Sequence, residues 1–139
     1  MTAKDFLQVI YKRRCGLQSV REHIEELQAS AGGISAIRYD KDRVQVSPED
    51  HMSEAVARMI EAEEEYGRLV VEYHKAVIQR TKMIQAMPDP RYVALLTHRY
   101  IDCLRFEEIA YRMNYSWKHV LRLHGEALDA FAKQYEGEI

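Results

Sequence analysis

The stretch that decides the reading of this chain is Tyr100-Ile101-Asp102-Cys103-Leu104-Arg105-Phe106-Glu107-Glu108-Ile109-Ala110-Tyr111-Arg112-Met113-Asn114-Tyr115-Ser116-Trp117-Lys118-His119-Val120. Leu104, Ile109, Ala110, Met113, Val120 and Leu123 are spaced so that two short helices can bury them in one small core. Ala110 is small where two helices must cross closely. Asn114 falls where the turn needs a left-handed backbone, a conformation that Asn tolerates better than most residues. Ser116 is placed to cap the next helix. A short helix, a tight turn, a capped second helix and shared apolar contacts are the requirements of a helix-turn-helix. The pattern predicts helices at about Phe106–Met113 and Trp117–Tyr135.

Outward from this motif, the helical signals continue. Pro88-Asp89-Pro90 must end any preceding helix, because each proline biases its preceding residue away from helical geometry. Asp89 can then cap a new helix, about Pro90–Ile101, with Pro90 at its first position. Ser47-Pro48-Glu49-Asp50 is a strong helix start, with a capping hydroxyl, a first-position proline and two acids that complement the dipole. The helix it opens should run from Pro48 to about Ala86. Its seam reads Met52, Val56, Met59, Glu63, Tyr66, Val70, Tyr73, Val77, Arg80, Ile84, Met87, in steps of 4 and 3. Glu63 and Arg80 interrupt that seam, so pairing there is looser or satisfied by another segment. The acidic run Glu61–Glu65 reads as a solvated face.

At the start of the chain, Thr2 can cap a helix with Asp5 three residues on. That helix should run to about Ser30, where Gly32-Gly33 stops it. Phe6, Ile10, Leu17, Val20, Ile24 and Leu27 form its seam, broken once near Arg13 and Arg14. Residues 31–47 read as a connection, within which Val44-Gln45-Val46 suits a short extended piece. The expected architecture is all-α. A long N-terminal antiparallel helical hairpin (residues 1–87) precedes a helix-turn-helix domain (residues 88–139).

The bulk numbers agree. The chain has 139 residues, 47% of them hydrophobic and 30% charged, with 6 Gly and 3 Pro, which suits a globular helical protein. No apolar run reaches the roughly 20 residues that cross a bilayer, and charges interrupt the N-terminal apolar residues too early for a signal peptide. The expectation is a cytoplasmic protein. Cys15 and Cys103 lack metal-ligand spacing and read as reduced thiols. His119 and His124, five apart, do not share a helix face, so no metal site is expected. The methionines read as core filler. There is no phosphate loop, nucleophile elbow or metalloprotease pattern, so no enzyme and no cofactor are expected.

The net charge is −2, but its distribution is uneven. Residues 1–90 hold 13 Lys+Arg against 15 Asp+Glu, whereas residues 91–135 hold 7 against 5. The basic excess therefore lies with the helix-turn-helix. It is small, and a monomer should bind phosphates weakly.

Arg99-Tyr100, Leu104, Glu108-Ile109-Ala110, Met113-Asn114-Tyr115-Ser116 and Val120 together resemble region 4 of sigma-70 factors. Met113-Asn114 stands where that family usually has Leu-Gly. Over most of its length the chain is similar to a family of small prophage proteins of Gram-positive bacteria, related to the ArpU and RinA phage transcriptional regulators. The residues that carry this are Asp42-Arg43-Val44-Gln45-Val46-Ser47-Pro48, Met52, Arg99-Tyr100-Ile101, Tyr115-Ser116 and Leu123-His124-Gly125-Glu126-Ala127-Leu128.

The resemblance implies a sequence-specific DNA-binding regulator of phage genes that places its second motif helix in the major groove. Lys118 and Arg122 become the expected readers of guanine edges or phosphates, with Trp117 and Leu121 beside them. Ser116 is expected at a phosphate, His119 at the flank, and Arg105 and Arg112 at the DNA backbone. Double-stranded DNA, RNA polymerase and a second copy through the hairpin are the expected partners. Trp117 and Leu121 are unusual on a groove-reading helix, and an exposed Trp is common at protein interfaces. Two other readings therefore stand: a phage DNA-packaging recognition subunit, and a protein-docking module without independent DNA binding.

Overall fold

The computed structural model describes the backbone of residues 1–34 and 48–139 and the side chains of 1–30 and 53–139. The described residues form five α-helices and no strand: α1 (Ala3–Ile34), α2 (Pro48–Gln85), α3 (Pro90–Leu96), α4 (Phe106–Met113) and α5 (Trp117–Gln134). A π-helical turn, Thr97–Ile101, continues α3 to the expected end of that helix. The chain is all-α, as the sequence predicts.

Several boundaries have clear local causes. Thr2 Oγ1 accepts from the Asp5 amide at 3.1 Å, while the Asp5 carboxylate accepts from the Thr2 hydroxyl at 2.6 Å. This reciprocal cap opens α1 and holds the Asp5 carboxyl below its ordinary range. Asp89 accepts from the Arg91 amide at 2.9 Å and from its guanidinium at 3.0 Å, with Pro90 at the first position of α3. α2 begins at Pro48. The Ser47 cap and the extended piece at 44–46 lie outside the described residues.

Two expectations need correction. α1 does not stop before Gly32-Gly33 but runs through them to Ile34. Glycine costs a helix only about 1 kcal/mol relative to alanine, and needs left-handed geometry to end one. The second correction concerns the seam of α2. One of its rows is as expected, since Met59, Tyr66, Tyr73, Arg80 and Met87 are buried or half-buried. The other row holds in its second half, where Val70 and Val77 are half-buried and Ile84 is buried, and departs from expectation in its first half. Ala62 and Ala76 are buried and Ala55, Leu69 and Met83 half-buried, while Val56 and Glu63 are exposed. Hydrophobicity favours valine over alanine for the inner row, but small side chains suit a close backbone approach. Glu63 therefore does not interrupt the seam at all.

The chain packs as two compact units: Met1–Arg14 with Tyr73–Ile139, and Cys15–Glu72. In the second unit Leu17, Val20, Ile24 and Leu27 of α1 are half-buried at the expected spacing, and Ala62 of α2 is buried. The first unit holds the main core. Phe6 and Leu7 of α1, Ile84 and Met87 from the end of α2, Leu95 and Leu96 of α3, Ile109 of α4 and Phe131 of α5 all belong to it. The rings of Phe6 and Phe131 lie 6.2 Å apart.

Two devices seal the end of α2. Its last carbonyls have no helical partner. Tyr135 donates its hydroxyl to Met83 O at 2.7 Å, and the Gln134 amide reaches Ala86 O at 3.3 Å. Inside the seam, Arg80 is only 8% exposed. Its Nε donates to Phe6 O at 2.9 Å, its Nη1 to Gln79 Oε1 at 2.9 Å, and its guanidinium lies 4.0 Å from the Phe6 ring centroid. A charge buried this way is satisfied by a carbonyl, an amide and an aromatic face.

Arg80→Ala is expected to lower unfolding stability by about 2–3 kcal/mol, through lost packing and a lost charge-assisted bond. Arg80→Met, which keeps the stem and removes the desolvation cost, should stay within about 1 kcal/mol of the parent. Urea unfolding monitored by circular dichroism measures both.

Candidate nucleic-acid interface

The turn between α4 and α5 is built as the sequence demands. Asn114 has φ 60° and ψ 37°, in the left-handed region. The Tyr115 amide bonds Ala110 O at 3.0 Å and the Asn114 amide bonds Tyr111 O at 3.3 Å. These are the paired bonds of a Schellman motif, which satisfy the last carbonyls of α4. Ser116 then caps α5, accepting from the His119 amide at 3.2 Å. Its hydroxyl proton remains available to an acceptor.

The face that α5 presents follows from the stripe it buries. Val120, Leu123, Ala127 and Phe131 are at most 2% exposed, and their helical spacing defines the inner side. Trp117, Lys118, Leu121 and Arg122 are left outward on the first two turns. Lys118 and Arg122, four residues apart, share that side, and Trp117 and Leu121 flank them at 51% and 36% exposure. Neither cation forms an ion pair among the described residues. Gly125 continues the open side, where an added Cβ would meet nothing within 4 Å.

The remaining predicted residues sit differently. His119 is half-buried, stacked on Tyr115 with ring centroids 4.4 Å apart, and its Nδ1 lies 3.5 Å from Arg122 Nη2. It steadies the turn and the Arg122 side chain. Arg112 is exposed on α4 beside Glu107, Glu108 and Tyr111. Arg105 precedes α4 with no side-chain capping bond, and lines a cavity with Gln8, Tyr11, Arg99, Tyr100 and Cys103. Thus four of the eight residues share the outer face of α5, Ser116 caps it, and Arg105, Arg112 and His119 lie elsewhere.

Some contributors were not legible beforehand. Tyr111 is 87% exposed, next to Arg112 on α4. Its neighbours Ile109 and Ala110 are buried, so the amphipathic pattern alone turns Tyr111 outward. Arg99 and Tyr100, prominent in the motif, both act internally. Arg99 donates to Leu104 O at 3.0 Å and its guanidinium lies 4.1 Å from the Phe106 ring centroid. Tyr100 meets His124 Nε2 at 2.7 Å. Burial pushes the Tyr100 phenol up to about 12 and the His124 imidazole down to about 4. The phenol is therefore the donor and Nε2 the acceptor, leaving the ring proton on Nδ1. Phe106 packs on the same imidazole, with centroids 5.0 Å apart. This cluster fastens the π-turn and α4 to α5.

The described residues contain no group of three or more His, Cys, Asp or Glu able to hold a metal ion, and no helix long and apolar enough to cross a membrane.

Two measurements test this construction. Asn114→Gly should stabilise the protein by about 0.5–1 kcal/mol and Asn114→Val should destabilise it by about 1–2 kcal/mol, because only the left-handed cost changes; thermal unfolding reads both. The second test is pH. The unfolded chain binds a proton at His124 near 6.5, the folded chain only near 4. Stability from this residue is thus full above pH 6.5 and falls as pH drops towards 4. Urea midpoints measured across that range should decline in the parent and flatten in His124→Gln. No protein-family model matches this chain, and comparison with curated proteins and with solved structures returns no match.

Proposed function

We propose that this chain is a sequence-specific DNA-binding regulator of transcription, with α4 and α5 acting as a helix-turn-helix of the sigma-region-4 kind. One observation carries the reading. The second helix of a capped helix-turn-helix holds Lys118 and Arg122 on its outer face, with no acidic partner among the described residues. Helices of this kind enter the major groove by their first turns, where a guanidinium or ammonium pairs with guanine edges or phosphates. Ser116 and the amino-terminal end of α5 add a site favourable to a phosphate.

In this reading Leu121 faces a thymine methyl, and Arg112 lies against the DNA backbone from the preceding helix. The local positive charge is modest, so two copies on a two-fold site, or RNA polymerase alongside, supply the remaining affinity. The long helices α1 and α2, read as a hairpin, serve that association. The resemblance to prophage regulators of the ArpU and RinA type supports phage or prophage genes as the targets.

A second reading rests on a specific observation. Tyr111, Trp117 and Leu121 are large, apolar or amphipathic, and exposed, which suits docking on a partner protein. Under that reading Trp117→Ala abolishes partner binding, while Lys118 and Arg122 are dispensable.

Selection of bound duplexes from a random DNA library distinguishes the two. The parent should enrich a defined motif, and Lys118→Ala/Arg122→Ala should lose it. On the enriched site the double variant is expected to lose about 2–4 kcal/mol of affinity and to show a shallower salt dependence. No enrichment at low salt would overturn the DNA-reading proposal.

A further inference from the structure

The compact unit formed by Met1–Arg14 and Tyr73–Ile139 contains a cavity of about 360 Å³, lined by Gln8, Tyr11, Arg99, Tyr100, Cys103 and Arg105. We infer that it binds a small organic anion, a phosphate or carboxylate on a body no larger than a mononucleotide, paired by the guanidinium groups of Arg99 and Arg105. This goes beyond the DNA-binding reading and does not depend on it.

Among the described residues the lining carries two guanidinium groups, an amide, two phenols and a thiol, and no carboxylate. Asp102 is the acid nearest in sequence, but its carboxylate is directed to His98 Nδ1 at 3.2 Å. Arg99 is held in place by groups that leave its charge uncompensated: a carbonyl at 3.0 Å and the face of Phe106. Only one of its five N–H donors is used there. A guanidinium fixed in orientation loses little freedom when a planar or tetrahedral anion arrives. Arg105 makes no ion pair among the described residues and contributes a second fork.

Geometry adds to electrostatics. The walls come from α1, the π-turn and the bend at Cys103, whose φ of 56° is left-handed for a non-glycine residue. That bend, with the Tyr100 and Ile101 carbonyls within 3.9 Å of Cys103 Sγ, sets the chain direction into Arg105. A cavity of this volume falls in the range of roughly 300–1,000 Å³ usual for small-molecule sites. The Tyr11 and Tyr100 rings give a ligand body something to rest against, and the Gln8 amide gives it a hydrogen-bond partner.

The test is a two-dimensional amide NMR titration, at constant ionic strength and without DNA, with three probes: inorganic phosphate, adenosine 5′-monophosphate and benzoate. Expected are saturable shifts at Gln8, Tyr11, Cys103 and Arg105, with a Kd below about 1 mM for at least one probe. Arg105→Gln should weaken that binding by at least about tenfold, equivalent to about 1.4 kcal/mol. Arg105 is exposed and caps nothing with its side chain, so this variant should keep the parent's amide spectrum away from the cavity. Absent or non-saturating shifts would overturn the proposal. So would saturable shifts centred on Lys118 and Arg122, or unchanged binding in Arg105→Gln.

Discussion

Everything around the helix-turn-helix depends on the single apolar stripe of α5. Val120, Leu123, Ala127 and Phe131 are fully or almost fully buried, and a helix that buries one stripe has no choice about what it leaves outside. The stripe touches elements far apart in the sequence. Its amino-terminal half packs with α4 through Ile109 and Ala110, and its carboxyl-terminal half reaches Phe6 at the other end of the chain. Rotating α5 by one residue would expose Phe131 and turn either Leu121 and His124 or His119 and Arg122 into the core. The positions of the outward cations are thus fixed by core packing, with no contribution from the cations themselves.

Polar groups then refine what the apolar stripe sets. The Schellman turn at Asn114 fixes the chain reversal, Ser116 starts α5, and the Tyr100–His124 bond ties its middle to the π-turn. Burial makes this last bond direction-specific, because a neutral imidazole and a protonated phenol have one complementary arrangement. At the far end, Tyr135 and Gln134 satisfy the Met83 and Ala86 carbonyls where the helix gives out, since the Met87 amide turns to Ile84 O and Pro90 has no N–H to offer Ala86. Each polar contact here answers a backbone or burial demand. The outward face of α5 is the part of the motif on which no internal demand is visible.

Local chemistry was readable from the sequence, and long-range packing was not. Thr2, Asp89, Asn114 and Ser116 announce their roles because a cap or a left-handed turn needs a short polar side chain within three residues. The bounds of α4 and nearly those of α5 follow from them. Along the first half of α2, spacing puts Val56 and Glu63 on the inner row and the structure puts Ala62 there, because hydrophobic spacing cannot tell which of two adjacent rows faces the neighbour. Arg80 read as an interruption, and only the position of Phe6 shows how its charge is satisfied. Cys103 gave no sign of its positive φ, since cysteine has no preference for that region. Of the candidate site, the cluster Trp117, Lys118, Leu121 and Arg122 was legible from periodicity. The separation of Arg105 from it was not, because that depends on where α1 lies.

The compact unit is closed by the two distant parts of the chain that supply it, and this has a consequence for how the protein is made. Phe6 and Leu7 are synthesised more than a hundred residues before Phe131, which shares their core. Until α5 appears, Phe6 lacks its Phe131 neighbour, and α3 and α4 lack the surface that completes their core. The segment from residue 88 onward, taken alone, would lack the Phe6 ring that packs near Phe131. Folding of the whole unit therefore waits for α5 and pairs two segments far apart in the sequence, with a slow search and a need for protection in the meantime.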